Sequence, residues 1–372
     1  MWNVGMPLVP PYIAALKGYE PGLDPDIVRQ RYGVQRVVKL ASNENPLGVS
    51  PLAVERMVTA LSSAHRYPSG GRLLRERLAA EFELKVENVI AGSGSEGIIA
   101  NIVRTFLGDE DEVLTTEAAF GGFQVLARSR GVDYVTVPYR HWRYDLPALA
   151  GAITQRTKLI YLANPNNPTG TFFTRQEFET FCRRVPPRVL IILDEAYFEF
   201  AKDNPRYPDS MHYRYDNVIT LRTFSKAYGL ASARIGYGFA HEDLIAMLLK
   251  VKLPFEPSGI AEAAALGALD DREFLHRTLE LNARGKRFLT ESLKGLAFRV
   301  VPSEANFLMV ELNSKAEADL VFENLLRQGI IVRSVASFGL PHCLRISIGT
   351  MEENELCVEA LPQAREPALA AR

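Results

Sequence analysis

A chain of 372 residues has room for two to three domains at roughly 150 residues each, and so for both a sizeable core and a cleft between domains. Hydrophobic residues at 47% and charged residues at 23% match an ordinary globular protein. The balance of 43 Lys and Arg against 44 Asp and Glu, a formal net charge of -1, excludes a global electrostatic case for nucleic acid or an acidic membrane.

The N-terminal stretch MWNVGMPLVPPYIAALKGYEPG is broken by prolines and lacks a basic start before an apolar run, so it does not read as a signal peptide. Further on, short β-rich runs alternate with amphipathic stretches. Strands are predicted over 89–91, 112–115, 134–137, 158–163, 189–194, 218–222 and 235–239, and helices over 95–107, 122–130, 146–153 and 175–184. Runs such as KLIYLAN and RVLIILD are apolar at consecutive positions, as expected of strands covered on both faces. This alternation predicts an α/β domain with a mostly parallel sheet and a binding crevice at the carboxyl ends of its strands. After about residue 270 the pattern changes to a long helix over 273–293, period-two strands over 306–311 and 344–348, and a helix over 315–327. A second, smaller α+β domain follows from that change, joined by the N-terminal arm. The last residues, EPALAAR, read as a frayed tail.

No apolar run approaches the about 20 residues of a membrane span. Cys182, Cys343 and Cys357 are odd in number and widely spaced, which favours reduced cytoplasmic thiols over a disulfide framework. The histidines form neither HxxxH nor HExxH, so the sequence supports no metal site.

Several local motifs carry chemistry. Ile90-Ala91-Gly92-Ser93-Gly94-Ser95-Glu96-Gly97 is a glycine-rich turn between a strand and a helix, and fits a tight structural turn as well as an anion cradle at a helix N-terminus. Asn164-Pro165-Asn166-Asn167-Pro168-Thr169-Gly170 follows the strand KLIYLA and would hold an Asn side chain at its carboxyl end. Asp194-Glu195-Ala196-Tyr197 ends RVLIIL; an acid there either invites a cationic partner or caps the next helix. Thr223-Phe224-Ser225-Lys226-Ala227-Tyr228-Gly229, with Arg234 shortly after, gathers hydroxyls and cations able to bind a phosphate while the lysine reaches a carbonyl. Late in the chain, Leu344-Arg345-Ile346-Ser347-Ile348-Gly349-Thr350 sets one arginine inside an apolar strand, facing either a substrate carboxylate or an internal acid.

In this order, GSGSEG, NPNNPTG, DEAY, SKAYG and LRISIGT resemble the fold-type I aminotransferases that depend on pyridoxal phosphate. The segments Tyr19-Glu20-Pro21-Gly22, Leu40-Ala41-Ser42-Asn43-Glu44-Asn45-Pro46-Leu47-Gly48 and Arg66-Tyr67-Pro68 resemble the histidinol-phosphate aminotransferase subfamily. The resemblance implies a mostly parallel seven-stranded sheet in a large cofactor domain at 45–270. It also implies an arm at 1–44 that joins a small C-terminal domain at 271–372.

The resemblance further implies roles for single residues. Lys226 would carry the cofactor and move the substrate proton, Asp194 would face the pyridine nitrogen, and Asn167 and Tyr197 would bond the phenolic oxygen. Ser95 and Glu96 through their backbone N–H groups, with Thr223, Ser225 and Arg234, would hold the phosphate. Phe120 would stack on the ring without contributing a hydroxyl, and Tyr67 would reach the phosphate of the other subunit in a homodimer. Arg345 would take the α-carboxylate of the amino acid; Tyr19, Arg333 and Asn43 complete the substrate side. The partners implied are a small-molecule amino donor, histidinol phosphate, and the 2-oxo acid 2-oxoglutarate. Glu256 stands where many relatives carry Asn, and an acid there would repel a substrate phosphate or bind an imidazolium. An aromatic amino-acid aminotransferase with the same machinery, and a decarboxylase of phosphorylated amino acids, one group of which closely resembles this subfamily, are the alternatives. A pyridoxal-phosphate-sensing regulator would need an added DNA-binding domain, which the sequence does not offer.

Overall fold

Strands arise in the predicted order, and the computed structural model describes residues 8–213 and 215–366. The expected frayed tail falls almost wholly outside them, at 367–372. After β1 (Val38–Lys39) come β2 (Val89–Gly92), β3 (Glu112–Thr116), β4 (Asp133–Val137), β5 (Thr157–Ala163), β6 (Leu190–Asp194), β7 (Val218–Thr223) and β8 (Gly236–Phe239). The last seven form one sheet in the order β2-β8-β7-β6-β5-β3-β4. Its pairings from β4 through β7 are parallel, and β8 runs antiparallel to both neighbours. Every observed strand of this sheet starts and ends within one residue of its predicted bounds.

The consecutive apolar runs have the expected cause. On β5 and β6, Leu159, Tyr161, Leu190 and Ile192 face one way, against Ile98, Ile102 and Phe123 of the helices Gly94–Phe106 and Gly121–Arg128. Ile160, Leu162, Ile191 and Leu193 face the other way, against Leu149, Phe178 and Phe181. Strands covered on both faces leave only their ends for polar groups. The carboxyl ends of β5, β6 and β7 therefore deliver the turn after Ala163, Asp194 and Thr223 to one side of the sheet.

The later part of the chain builds a second sheet. β9 (Arg299–Val301), β10 (Phe307–Glu311), β12 (Arg333–Ser334) and β13 (Cys343–Ser347) pair antiparallel in the order β12-β13-β10-β9. β11 (Ile330–Ile331) pairs parallel with β1, Val38 opposite Ile330, so an early segment is tied into the late one. Val38 and Leu40 share a core with Leu293, Leu308, Leu325, Leu344 and Leu361. Helices Arg272–Gly295, Lys315–Arg327 and Met351–Ala364 frame that core. Cys182, Cys343 and Cys357 are free thiols, and no helix of the described residues is long and apolar enough to cross a membrane.

Helices Pro51–Leu61 and Gly259–Asp270 also form, although no periodic signal marks the second. Its sequence GIAEAAALGALD is apolar on nearly every side because it is buried on several. The first starts with a capping Ser50, whose hydroxyl accepts from the Ala53 N–H at 3.2 Å, and a proline in the first turn. The two meet almost backbone to backbone: a Cβ at Gly267 would stand 2.6 Å from the Leu52 carbonyl oxygen and 2.7 Å from the Ala53 Cα. Gly267→Val is expected to lower unfolding free energy by about 1–3 kcal/mol in urea titrations. The control Gly295→Ala, where a Cβ meets nothing within 4 Å, should stay within about 0.5 kcal/mol.

Candidate active site

β6 ends on Asp194, an acid in a strand buried throughout. Its Oδ2 accepts from the Tyr161 hydroxyl at 2.7 Å and its Oδ1 from the Ala196 N–H at 3.1 Å. Burial pushes the carboxyl up to about 6 in spite of those two donors and the pull of Lys226. After β7 the chain turns, and Lys226 Nζ donates to the Ser42 carbonyl at 3.3 Å. Burial, and then the positive charge of Arg345, push the Lys226 amine down to about 8. In the same turn the Thr223 hydroxyl accepts from the Ser225 N–H at 3.1 Å and donates to the Ser225 hydroxyl at 3.0 Å.

The glycine-rich turn places the start of helix Gly94–Phe106 beside these groups. First-turn N–H groups have no partner within a helix and face outward along its axis. Gly94 has φ 74°, and a Cβ there would stand 2.7 Å from Arg234 Nη2. A Cβ on Gly236 would stand 2.5 Å from the Ser95 backbone nitrogen, so both glycines keep the cradle open. Arg234 pairs with Glu96 at 3.2 Å and donates to the Ala231 carbonyl at 3.0 Å. Phe120 opens the helix Gly121–Arg128, its ring 6.3 Å from that of Tyr19.

The opposite wall comes from the second sheet. Arg345, buried in β13, donates from Nη1 to Asn167 Oδ1 and from Nη2 to the Ala41 carbonyl at 2.7 Å, and lies over the Phe307 ring. Among the described residues its partners are an amide and a peptide oxygen rather than an acid, and its Nε has none. Arg333 in β12 donates to the Glu20 carbonyl at 2.5 Å. Asn43, at φ 55°, donates from Nδ2 to the Tyr197 hydroxyl at 2.9 Å, while its Oδ1 accepts from the Ser347 hydroxyl at 2.8 Å. Burial pushes the Tyr197 phenol up to about 12, which keeps its proton in place at neutral pH.

One cavity of about 170 Å³ is lined by every catalytic, cofactor and substrate residue that the resemblance implies except Tyr67. Tyr67 is 81% exposed and stacks on Phe255 at 4.3 Å, outside that cavity. Glu256 does not line the cavity either: its carboxylate accepts from the Ser93 N–H at 3.0 Å, behind the glycine-rich turn. Tyr161 was not among the residues singled out, although it lines the cavity and bonds Asp194. Strand alternation carried a signal for it, since Ala163 sits opposite Asp194 and Tyr161 lies two residues back on the same face.

A charged Lys226 in this setting opposes folding. Its native value lies below the unfolded value of 10.5, so the penalty is complete below about pH 8 and disappears as pH rises to 10.5. The ligand-free Lys226→Met protein should therefore melt higher than the unaltered protein at pH 7. That difference should shrink steadily between pH 8 and 10.5 in calorimetry.

The sequence profile of the family described as aminotransferase class I and II matches residues 35–361. A histidinol-phosphate aminotransferase of Anaeromyxobacter sp. (strain Fw109-5) is 43% identical over 360 residues, covering 96% of this chain and 98% of that protein. Histidinol-phosphate aminotransferase 2 of Ralstonia nicotianae is 44% identical over 368 residues, covering 97% and 98%. Among solved structures, the histidinol-phosphate aminotransferase of Sinorhizobium meliloti in complex with pyridoxal-5'-phosphate superposes with a TM-score of 0.89 at 29% identity, covering 97% of this chain and 98% of that one.

Proposed function

This chain belongs to the class I and II aminotransferases, and we propose that it moves the amino group of histidinol phosphate to 2-oxoglutarate with pyridoxal phosphate as cofactor. The products are imidazole acetol phosphate and glutamate, and the step belongs to histidine biosynthesis. The observation that carries this reading is the meeting of an amine of lowered basicity, a buried carboxylate and an anion cradle in one cavity.

The donor set fits that cofactor. Thr223 and Ser225 hydroxyls, Arg234 and the Ser95 and Glu96 N–H groups stand together for a phosphate, and the Gly94 and Gly236 positions leave it room. Charge-assisted bonds of this kind contribute about 1.5–3 kcal/mol each. When bound, pyridoxal phosphate supplies the sink for the electrons of the substrate Cα–H bond. Lys226 would hold it covalently and would also move the substrate Cα proton; burial brings that amine down to about 8, so part of it is neutral and able to act as a base. Asp194, as an anion, would favour a proton on the pyridine nitrogen. Asn167 and Tyr197 would hold the phenolic oxygen, and Phe120 would cover one ring face.

Arg345 binds the α-carboxylate of glutamate, where its fork now meets neutral oxygens. Tyr19 and Arg333, with Asn43, receive the other end of the substrate, including the phosphate of histidinol phosphate. We also propose a cytoplasmic homodimer, in which the exposed Tyr67 reaches the phosphate bound by the second subunit. Within each subunit an arm at 1–44 and a small domain at 271–372 would flank the large domain at 45–270.

The protein as purified is expected to absorb in the visible range, and borohydride reduction should fix a pyridoxyl group on Lys226, read by peptide mass spectrometry. A label persisting unchanged in Lys226→Ala would falsify that role. Comparing amino donors in one coupled assay tests the substrate: histidinol phosphate should turn over fastest. Faster turnover of phenylalanine or tyrosine would point to the aromatic alternative. Release of carbon dioxide without a keto acid would point to the decarboxylase. Tyr67→Phe should weaken pyridoxal-phosphate binding by roughly tenfold in equilibrium dialysis, the loss of one hydrogen bond to a charged acceptor.

A further inference from the structure

We propose that Tyr161 is a positioning residue that holds Asp194 ionised and aimed into the cavity, so that the pyridine nitrogen of the cofactor meets an anion. The inference rests on the reading of the cavity as a pyridoxal-phosphate site. Tyr161 is fully buried in β5, and its hydroxyl donates to Asp194 Oδ2 at 2.7 Å. Its ring stacks on Phe123 at 4.1 Å with an interplanar angle of 10°, which restrains the ring that carries the hydroxyl. The other oxygen of Asp194 is held by the Ala196 N–H. The carboxylate thus has one backbone donor fixed by its own turn and one side-chain donor supplied by the neighbouring strand.

The charged and titratable groups that face Asp194 divide by sign. Lys226, from the turn after β7, favours the anion. Glu96, from helix Gly94–Phe106, opposes it. Tyr144 and Tyr197 also face it, and both phenols remain protonated because burial pushes them up. The Tyr161 phenol is pushed well above its ordinary value by burial and by Asp194 itself, so it stays a donor at every working pH. A donor that never ionises stabilises the carboxylate form, whereas a neutral carboxyl would have little use for it.

Tyr161→Phe removes the hydroxyl and keeps the stacked ring. The measurement is titration of the cofactor-free protein with pyridoxal phosphate from pH 6 to pH 9, by fluorescence or dialysis. Without that donor the Asp194 carboxyl rises further above its ordinary value, its acid constant falling roughly tenfold. The dissociation constant of the variant should then exceed that of the unaltered protein about fivefold at pH 6, and the two should converge to about onefold by pH 9. In an Asp194→Asn background the same substitution should change affinity by less than about twofold. A loss of affinity equal at all pH values, or one that persists beside Asp194→Asn, overturns the proposal and leaves Tyr161 a packing residue. If the unaltered protein takes up no pyridoxal phosphate, the cofactor reading fails and this inference fails with it.

Discussion

A carboxylate at the end of a strand buried along its whole length is the constraint around which this cavity is organised. Asp194 has little water to satisfy it, so its surroundings must do so, and they are the same surroundings that make the site. Tyr161 and the Ala196 N–H bond its two oxygens, and Lys226 supplies a positive charge that favours the anion. Burial acts on the two titrating groups in opposite directions, raising the acid to about 6 and lowering the amine to about 8. Each ends near neutrality, where a small change of electrostatic environment alters its protonation state. A cavity open to solvent would return both to their ordinary values and remove that property.

Behind the cavity a second charged group fixes the strand ends. Glu195 follows Asp194 directly, and Arg222 precedes Thr223; both side chains are wholly buried, and they pair at 2.8 Å. Arg222 also reaches Asp209 at 2.9 Å and lies 3.3 Å from the Phe198 ring centre. Burial raises Glu195 to about 7 against the pull of Arg222, while the surrounding carboxylates keep the guanidinium charged in spite of its burial. Breaking such a pair leaves one charge unmatched and costs about 3–5 kcal/mol. The pair ties the carboxyl end of β6 to that of β7, which holds Asp194 in register with the turn that carries Lys226.

Much of this was legible in the sequence, for identifiable reasons. Apolar runs that stop at polar residues mark the central strands, and the strand ends carry the functional groups, so fold and site were read from the same feature. What escaped depends on pairing. Tyr161 looked like one more buried residue in KLIYLA until β5 and β6 were placed side by side in register. Helix Gly259–Asp270 lacks a polar face, so it leaves no period to find. Glu256 looked like a substrate contact because it stands where many relatives carry Asn; the structure turns its carboxylate to the Ser93 N–H. The exposed Tyr67 has no function visible within its own chain, since the contact expected of it lies on another subunit.

The near-neutral overall charge conceals how the arginines are used. Arg345 reaches across three parts of the chain: its own strand β13, the turn holding Asn167, and the early segment holding Ala41. Among the described residues its acceptors are neutral and its Nε is unmatched, so they offer its buried positive charge no counter-ion. That arrangement is costly for folding and useful for binding. A carboxylate brought to this guanidinium replaces neutral acceptors with charged ones, and charge-assisted bonds are roughly twice as strong as neutral ones. It would also weaken the electrostatic depression of the Lys226 amine, in which Arg345 is the largest cause after burial. A carboxylate bound there and the basicity of Lys226 would thereby be linked through one side chain: the incoming charge would make the amine a stronger base.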